Sequence, residues 1–153
     1  MSKPDSQLEQ SAMSYQSSEA LTGNSYQELL ALHSLVNAVG DAIICVDRDG
    51  ILVLWNPGAE RLFGFSSEEA LGASLDLIIP PESRTAHWEG FYAAMQQNQS
   101  RLGSSVIRVP MLRKNQSQFP GALTVGIVRG EDNRIERIGA VIREEPEKKA
   151  VAE

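Results

Sequence analysis

The chain has 153 residues, a length typical of one domain with short terminal extensions. Hydrophobic residues make up 42% of the sequence and charged residues 22%, the balance expected of a globular protein with a core of its own. The formal net charge of -6 at pH 7 argues against a surface that binds nucleic acid.

The apolar runs of the sequence are short. The longest, AIICV and ILVLW, fall far below the roughly 20 residues that a helix needs to cross a bilayer, and the N-terminus lacks the apolar segment of a signal peptide. We therefore expect a cytoplasmic protein that does not insert into a membrane. Cys45 is the only cysteine and lies inside an apolar run, which predicts a buried and unreactive thiol.

The N-terminal part contains a tail and a helix. Residues 1–24 are rich in Ser and Gln and keep no hydrophobic period, which predicts a disordered tail. A flanking helix is expected over 25–40, with Ser25 as its cap and Gly40 at its end. One face of this helix carries an apolar stripe: Leu29, Leu32, Val36 and Val39.

The segment 41–144 has the pattern of a single domain. AIICV and ILVLW flank DRDG, which predicts two short strands and a tight turn in which Gly50 takes a positive φ. AERLFGF and SSEEALG predict two short helices, and a longer helix is expected from about Glu82 to Met95. A period of two then predicts three strands, over about 104–114, 119–128 and 134–143.

This order of elements predicts an α+β fold. Two strands, several helices and three further strands can form a five-stranded antiparallel sheet with the helices on one face. The flanking helix precedes this domain, and residues 145–153 are expected to form a charged C-terminal tail.

The sequence VDRDGILVLWNPGAERLFGFSSEEALGASL resembles a PAS domain of the sensory S-box type. The resemblance extends over about residues 29–143 and includes LRKNQSQFP, which corresponds to a later hairpin of the family. It implies a sensory or dimerising module that binds a small molecule or cofactor. Membership of a fold does not specify which ligand is bound.

Within this resemblance, RTAHWEGF is most similar to the helix that carries the haem-binding histidine in the oxygen-sensing kinases of nitrogen fixation and in a haem-regulated phosphodiesterase. Arg84 and His87 have the spacing found in those proteins, and the register continues without a gap to Phe119 and Pro120. The resemblance implies that His87 is the axial ligand of the iron of haem b.

The same register implies the other haem contacts. Leu102, Leu123 and Val125 correspond to the apolar distal wall of the kinases, and Arg101 to a position near the haem propionates. Ile107 replaces an arginine that hydrogen-bonds bound oxygen. Because isoleucine has no donor, this stabilisation is lost, and carbon monoxide or nitric oxide should compete well against oxygen.

Several positions depart from the families compared. Asn115-Gln116 replaces the usual Asp-Gly of a hairpin, which predicts a looser turn, and Glu144-Glu145-Pro146 replaces the closing Asp-x-Thr. Gly90 replaces a tyrosine one turn after the ligand, and Ser105 replaces the distal methionine of the phosphodiesterase. We therefore do not expect a second axial ligand from position 105.

Other interpretations remain open at this point. Taken alone, His87 is more simply explained as an imidazole at the edge of a core, bonded to a carbonyl or water. The domain could be free of cofactor, hold a small metabolite, or bind flavin without a covalent bond. His33 is expected on the surface, and Trp88 with Tyr92 forms an i, i+4 pair that is more typical of packing than of a cofactor site.

The sequence contains no P-loop, G-x-G-x-x-G or G-x-S-x-G motif, so we do not expect an enzyme. The two histidines and one cysteine have no spacing for a metal held by side chains alone. We expect a stand-alone sensory domain that forms a homodimer through the flanking helix. Its signal would pass to a separate signalling protein.

Overall fold

The computed structural model describes residues 23–146. The chain divides into two units on either side of the bond between Ala38 and Val39. The expected N-terminal tail and most of the charged C-terminal tail lie outside the described residues.

The first unit contains helix α1, Gly23–Ala38. This helix begins two residues before Ser25, so Ser25 lies in its first turn and does not occupy the cap position. None of the described residues of α1 is buried, and Leu32 and Leu35 are 59% and 58% exposed. The imidazole Nε2 of His33 lies 2.9 Å from the side-chain amide of Asn37, as expected of a surface histidine.

The second unit contains a five-stranded antiparallel sheet with the strand order β2-β1-β5-β4-β3. This confirms the predicted sheet. The third predicted strand is shorter than expected, because residues 104–106 lie in an exposed loop and a turn follows Leu112. The strands are β1 Ala42–Val46, β2 Leu52–Trp55, β3 Ile107–Leu112, β4 Gln118–Arg129 and β5 Ile135–Glu144.

The two hairpin turns that carry sequence signals differ in strain. Gly50 has φ +76° in the β1–β2 turn, as predicted, and its amide donates to the carbonyl of Asp47 at 3.1 Å. In the β3–β4 turn, Gln116 has φ +72°. A glutamine in this left-handed region is strained by its Cβ, so the missing glycine of this turn has a cost in free energy.

The helices of this unit are α2 Pro57–Phe63, α3 Ser67–Ala70 and α4 Arg84–Gln97, with 3-10 turns at Leu75–Ile78 and Pro81–Ser83. Ser66 caps α3 in a capping box with Glu69. The long predicted helix thus begins as a 3-10 turn at Pro81–Ser83, and its α-helical part starts at Arg84.

A buried asparagine joins the helices to the sheet. The Oδ1 atom of Asn56 accepts from the amides of Ala59 at 2.9 Å and Ile43 at 2.8 Å, and its Nδ2 donates to the carbonyl of Asp41 at 3.0 Å. The side chain is only 2% exposed, so these bonds replace those that water would make. They fix the start of α2 against β1.

The core lies between the helices and one face of the sheet. Phe63 and Ala59 of α2 are fully buried, and the Phe63 ring lies 5.4 Å from that of Trp55 and 5.7 Å from that of Phe119. Alternate residues of the strands point to this inner face, as the pleat of a sheet requires. The inner face therefore includes the core residues Ala42, Ile44, Val46, Met111, Phe119 and Ile142.

Both edges of the sheet are protected. Gly72 donates to the carbonyl of Leu52, whose own amide donates to Ala73, so a loop pairs with the β2 edge. At the other edge, Pro110 of β3 lies opposite Pro120 of β4. Because proline has no N–H, the β3 edge cannot present a complete ladder of donors to another strand.

Candidate ligand site beneath helix α4

Helix α4 carries His87 and is fixed near its N-terminal end. The indole Nε1 of Trp88 donates to the Asp76 carboxylate at 2.7 Å. The Arg84 guanidinium donates to the carbonyls of Ile79 at 3.1 Å and Asp76 at 3.3 Å. These bonds join the first two turns of α4 to the 3-10 turn Leu75–Ile78 and to Ile79, which follows that turn.

The middle of α4 is packed lightly. All fourteen residues of this helix are described, and Phe91 is the only one of them that is buried. Trp88 and Met95 pack against the core while partly exposed, and Tyr92 is 58% exposed. The residues of the helix other than Phe91 are therefore half-buried or exposed and are not enclosed by the core.

His87 is half-buried, with one ring nitrogen fully shielded. Its Nδ1 atom is inaccessible to solvent and has no hydrogen-bond partner among residues 23–146. The imidazole lies edge-on to the Trp88 ring at 4.8 Å and stacks on the Phe91 ring at 6.2 Å. A buried polar atom without a partner costs about 1–3 kcal/mol, so the arrangement needs a compensating role or contact.

Burial also determines the protonation of His87. Desolvation lowers the pKa of its imidazole, and the nearby Asp76 carboxylate raises the pKa by a smaller amount. The net direction is downward, because an imidazolium is poorly solvated among the Trp88 and Phe91 rings. His87 is therefore neutral at pH 7 and keeps a lone pair on one nitrogen, as a metal ligand must.

Three of the five residues predicted to surround the haem besides His87 lie together on the inner face of the sheet. Ile107 of β3 is the cross-strand partner of Leu123 of β4, and Val125 follows two residues later on the same face. Leu123 packs against the core, while Val125 is only half-buried. This patch consists of apolar side chains and offers no side-chain hydrogen-bond donor at these three positions.

The other two predicted contacts lie elsewhere. Arg101 and Leu102 belong to the loop between α4 and β3, and both are exposed, Leu102 by 41%. The Leu102 amide donates to the Ser100 hydroxyl at 3.1 Å, a local bond within this loop. The structure thus joins Ile107, Leu123 and Val125 in one patch and places Arg101 and Leu102 at the surface.

Two grooves on the surface of the described residues have volumes of about 430 and 460 Å³. One lies along the β3–β4 edge at Pro110 and Pro120, and the other lies between α2 and the β3–β4 turn at Gly64 and Lys114. His87 lines neither of these two grooves. Because its ring already packs against Trp88 and Phe91, a ligand held by His87 would need this side chain or α4 to move.

Sequence reasoning missed the partners that hold α4. Asp76 follows the cap residue Ser74 and had no signal of its own, yet it binds Trp88 across 12 positions. Asn98, which follows α4, takes the left-handed conformation with φ 56°. Asparagine after a helix is a known signal for this geometry, so the C-terminal boundary could have been predicted from it.

Cys45 is buried at 8% exposure, as predicted. Desolvation raises the pKa of its thiol, with Arg137 opposing the shift, so the reactive thiolate is disfavoured. Within residues 23–146, no group of three or more His, Cys, Asp or Glu side chains is placed to hold a metal ion. In the same range, no helix combines the length and apolar character that crossing a bilayer requires.

Comparison with known proteins identifies the family. The family model described as PAS fold matches residues 30–144. "Sensor protein FixL" of Bradyrhizobium diazoefficiens is 39% identical over 56 residues, which are 37% of this chain and 11% of FixL. "Oxygen sensor protein DosP" of Escherichia coli is 35% identical over 46 residues, which are 30% of this chain and 6% of DosP. The chain thus spans a small part of each of these relatives.

Solved structures agree with the fold. The PAS domain of a protein from Colwellia psychrerythraea is 22% identical, with a TM-score of 0.68 over 77% of this chain and 97% of that one. The LOV protein of Rhodobacter sphaeroides is 17% identical, with a TM-score of 0.61 over 80% of this chain and 69% of that one. Because the family model covers most of the sequence and these structures share its fold, the chain belongs to the PAS family.

Proposed function

We propose that this domain binds haem b through His87 and responds to a diatomic gas. The observation that carries the proposal is the half-buried, neutral imidazole of His87, which lies among the Trp88 and Phe91 rings on the helix over the core. Iron would bind the lone pair of Nε2, and the shielded Nδ1 would then carry the proton. The relationship to DosP, an oxygen sensor by name, supports the same interpretation.

The residues around His87 are chemically compatible with haem. His87 would bind the iron, while Ile107, Leu123 and Val125 would provide an apolar surface for the porphyrin and its gaseous ligand. Arg101 and Leu102 would need to turn inward from the exposed loop, Arg101 to pair with a propionate and Leu102 to complete the wall. When bound, haem would supply an iron centre that takes up a gas reversibly.

The side chains of this patch favour some gases over others. Ile107 has no hydrogen-bond donor, so its side chain would offer no hydrogen bond to oxygen held at this site. Carbon monoxide depends far less on such a donor. We expect carbon monoxide and nitric oxide to bind well relative to oxygen, and the substitution Ile107→Arg to slow oxygen release.

Absorption spectroscopy tests the haem proposal directly. The full chain is purified from cells supplied with a haem precursor and its Soret band is recorded, together with those of His87→Ala and His33→Ala. We expect a Soret band in the wild type and in His33→Ala, because His33 is an exposed histidine outside the site. The band should be lost in His87→Ala, and equal haem content in both variants would refute the role of His87.

A second function is a PAS module without haem, either free of cofactor or holding a small metabolite or non-covalent flavin. The observation in its favour is that the two grooves of about 430 and 460 Å³ exclude His87, whose ring already stacks on Phe91. A colourless wild-type protein purified with haem available would favour this function. Yellow protein with flavin absorption would identify the flavin alternative.

We also propose a homodimer formed through α1. Leu32 and Leu35 expose more than half of their surface, and aliphatic side chains so placed gain free energy when a second copy covers them. The protected sheet edges leave faces, rather than edges, for association. We expect wild-type protein to sediment as a dimer and the double variant Leu32→Glu/Leu35→Glu as a monomer; a dimer in both would contradict this interface.

We propose that the domain has no catalytic activity of its own and acts in the cytoplasm through a separate signalling protein. The support is that the shielded Nδ1 of His87 has no nucleophile as a hydrogen-bond partner within residues 23–146, so it is not paired as a general base would be. Affinity capture with loaded and ligand-free protein, followed by identification of partners whose recovery changes, tests this part of the proposal.

A further inference from the structure

The C-terminal end of α4 is joined to the β4–β5 hairpin by a polar cluster, the Asn98 clamp, which consists of Asn98, Arg129, Asn133 and the amide of Ile135. Asn98 Oδ1 accepts from the Ile135 amide at 2.8 Å, and Asn98 Nδ2 donates to the Asn133 carbonyl at 3.0 Å. The Arg129 guanidinium donates to the carbonyls of Asn133 at 3.0 Å and Asn98 at 2.9 Å. Three of these four hydrogen bonds connect segments more than 30 residues apart in sequence, and the bond from Arg129 to Asn133 lies within the hairpin.

The Asn98 side chain makes hydrogen bonds to the hairpin of the kind that a neighbouring strand would make. The side-chain amide of Asn98 offers one acceptor and one donor to the hairpin, the same pair that a peptide unit of a neighbouring strand would offer. Ile135, the first residue of β5, is 1% exposed, so its amide has little access to water and needs the Asn98 oxygen. The start of β5 is thereby tied to the end of α4.

The rest of α4 is held mainly near its N-terminal end. There Arg84 donates to the carbonyls of Ile79 and Asp76, and the Trp88 side chain donates to the Asp76 carboxylate. Phe91 is the only buried residue in the fourteen of the helix. His87 and Asn98 are 11 positions apart, which is about 16 Å along a helix. A helix of three turns moves as a stiff body, so a displacement at His87 reaches Asn98 with little loss.

Strand β5 is well placed to receive such a displacement. It lies at the centre of the sheet and pairs with both β1 and β4. Its far end is held at Glu144, whose carboxylate pairs with the Arg113 guanidinium at 2.7 Å. Movement at Ile135 therefore shears a strand whose other end leads to the C-terminal segment.

We propose that the Asn98 clamp is the relay by which a ligand bound at His87 alters strand β5. This inference rests on the proposed haem function, since it needs a ligand that displaces α4. Asn98 is a positioning residue here: it contacts neither the ligand nor His87, and its contribution is to join the helix to the strand. A displacement of α4 would thus be passed to the sheet at the β4–β5 hairpin.

Two substitutions break the clamp. Asn98→Gly removes the amide, and glycine accepts the φ of 56° without strain. Arg129→Lys keeps the charge but loses the planar fork that bridges two carbonyls. Arg134→Lys is the matched control, because Arg134 is an exposed arginine of the same hairpin and uses its backbone amide, not its side chain, for its bond to Asp132.

The test measures amide hydrogen exchange of residues 138–144 in full-length, haem-loaded ferrous protein with and without carbon monoxide. We expect carbon monoxide to change exchange in β5 by at least about threefold in the wild type and in Arg134→Lys, an effect of the size that local opening equilibria show. The change should disappear in Asn98→Gly and shrink in Arg129→Lys, while the Soret shift on adding carbon monoxide persists in all four proteins.

The outcomes separate the two proposals. A persistent Soret shift with the same β5 response in Asn98→Gly as in the wild type would overturn the relay and leave haem binding intact. A wild type without a Soret band would remove the ligand and overturn both. If Asn98→Gly does not fold, Arg129→Lys provides the test instead. A change in β5 exchange as large as that of the wild type would then overturn the relay.

Discussion

Gly50 packs so closely against Trp88 that the substitution Gly50→Ala tests how α4 is held. A methyl group at position 50 would overlap the six-membered ring of Trp88, and the φ of +76° would strain the new side chain. Gly72 has a similar φ of +87°, but an added methyl group there meets nothing within 4 Å. The two glycines therefore separate backbone strain from the Trp88 contact.

The expected magnitudes follow from these two causes. Left-handed strain costs about 1–2 kcal/mol and should lower the free energy of unfolding in both alanine variants. In Gly50→Ala the free energy of unfolding should fall by about a further 1–3 kcal/mol, because the Trp88 ring must move and the core around it is overpacked. Displacing the ring also stretches its 2.7 Å bond to Asp76.

Urea unfolding followed by circular dichroism at 25 °C measures the three free energies. The double variant Gly50→Ala/Trp88→Leu supplies the cross-check, since a smaller side chain leaves room for the methyl group and should recover part of the extra loss. Equal destabilisation by Gly50→Ala and Gly72→Ala would refute the close contact. Absence of any coupling between positions 50 and 88 would do the same.

Three further predictions concern single side chains. Gln116→Gly should raise the free energy of unfolding by about 0.5–1 kcal/mol, because the left-handed strain of Gln116 exceeds the entropy that glycine adds to the unfolded chain, and an unchanged urea midpoint would contradict this. Asn56→Ala should cost about 2–4 kcal/mol in urea unfolding because it leaves buried groups of β1 and α2 without partners, and a loss under about 1 kcal/mol would show that water replaces them. The lowered pKa of His87 predicts a pH dependence: the folded state binds fewer protons than the unfolded one, so stability should fall as the pH decreases below the unfolded value of about 6.5. Comparing unfolding at pH 7.5 and 5.5 in wild type and His87→Gln isolates this contribution, and an identical pH dependence in both would contradict the burial of the imidazole.

Much of this domain was determined by local sequence. Gly50 in DRDG, the capping box at Ser66 and the alternation of apolar residues in the strands specify their turn, cap and inner face through neighbours only a few positions away. The family resemblance implied that Ile107, Leu123 and Val125 surround one site, and the pairing of β3 with β4 brings them onto one face of the sheet. The start of α1 was wrong by two residues because helix ends depend on weak local preferences.

The features that decide how His87 functions were determined only by the tertiary structure. Trp88 is hydrogen-bonded to Asp76, 12 positions away in sequence, and Asn98 to Ile135, 37 positions away. The packing of α4 on the sheet brings these residues within hydrogen-bond distance. The unpaired Nδ1 has the same origin, since burial depends on everything that surrounds the ring. Arg101 and Leu102 lie in a surface loop, where no helical or strand pattern specifies the conformation from sequence.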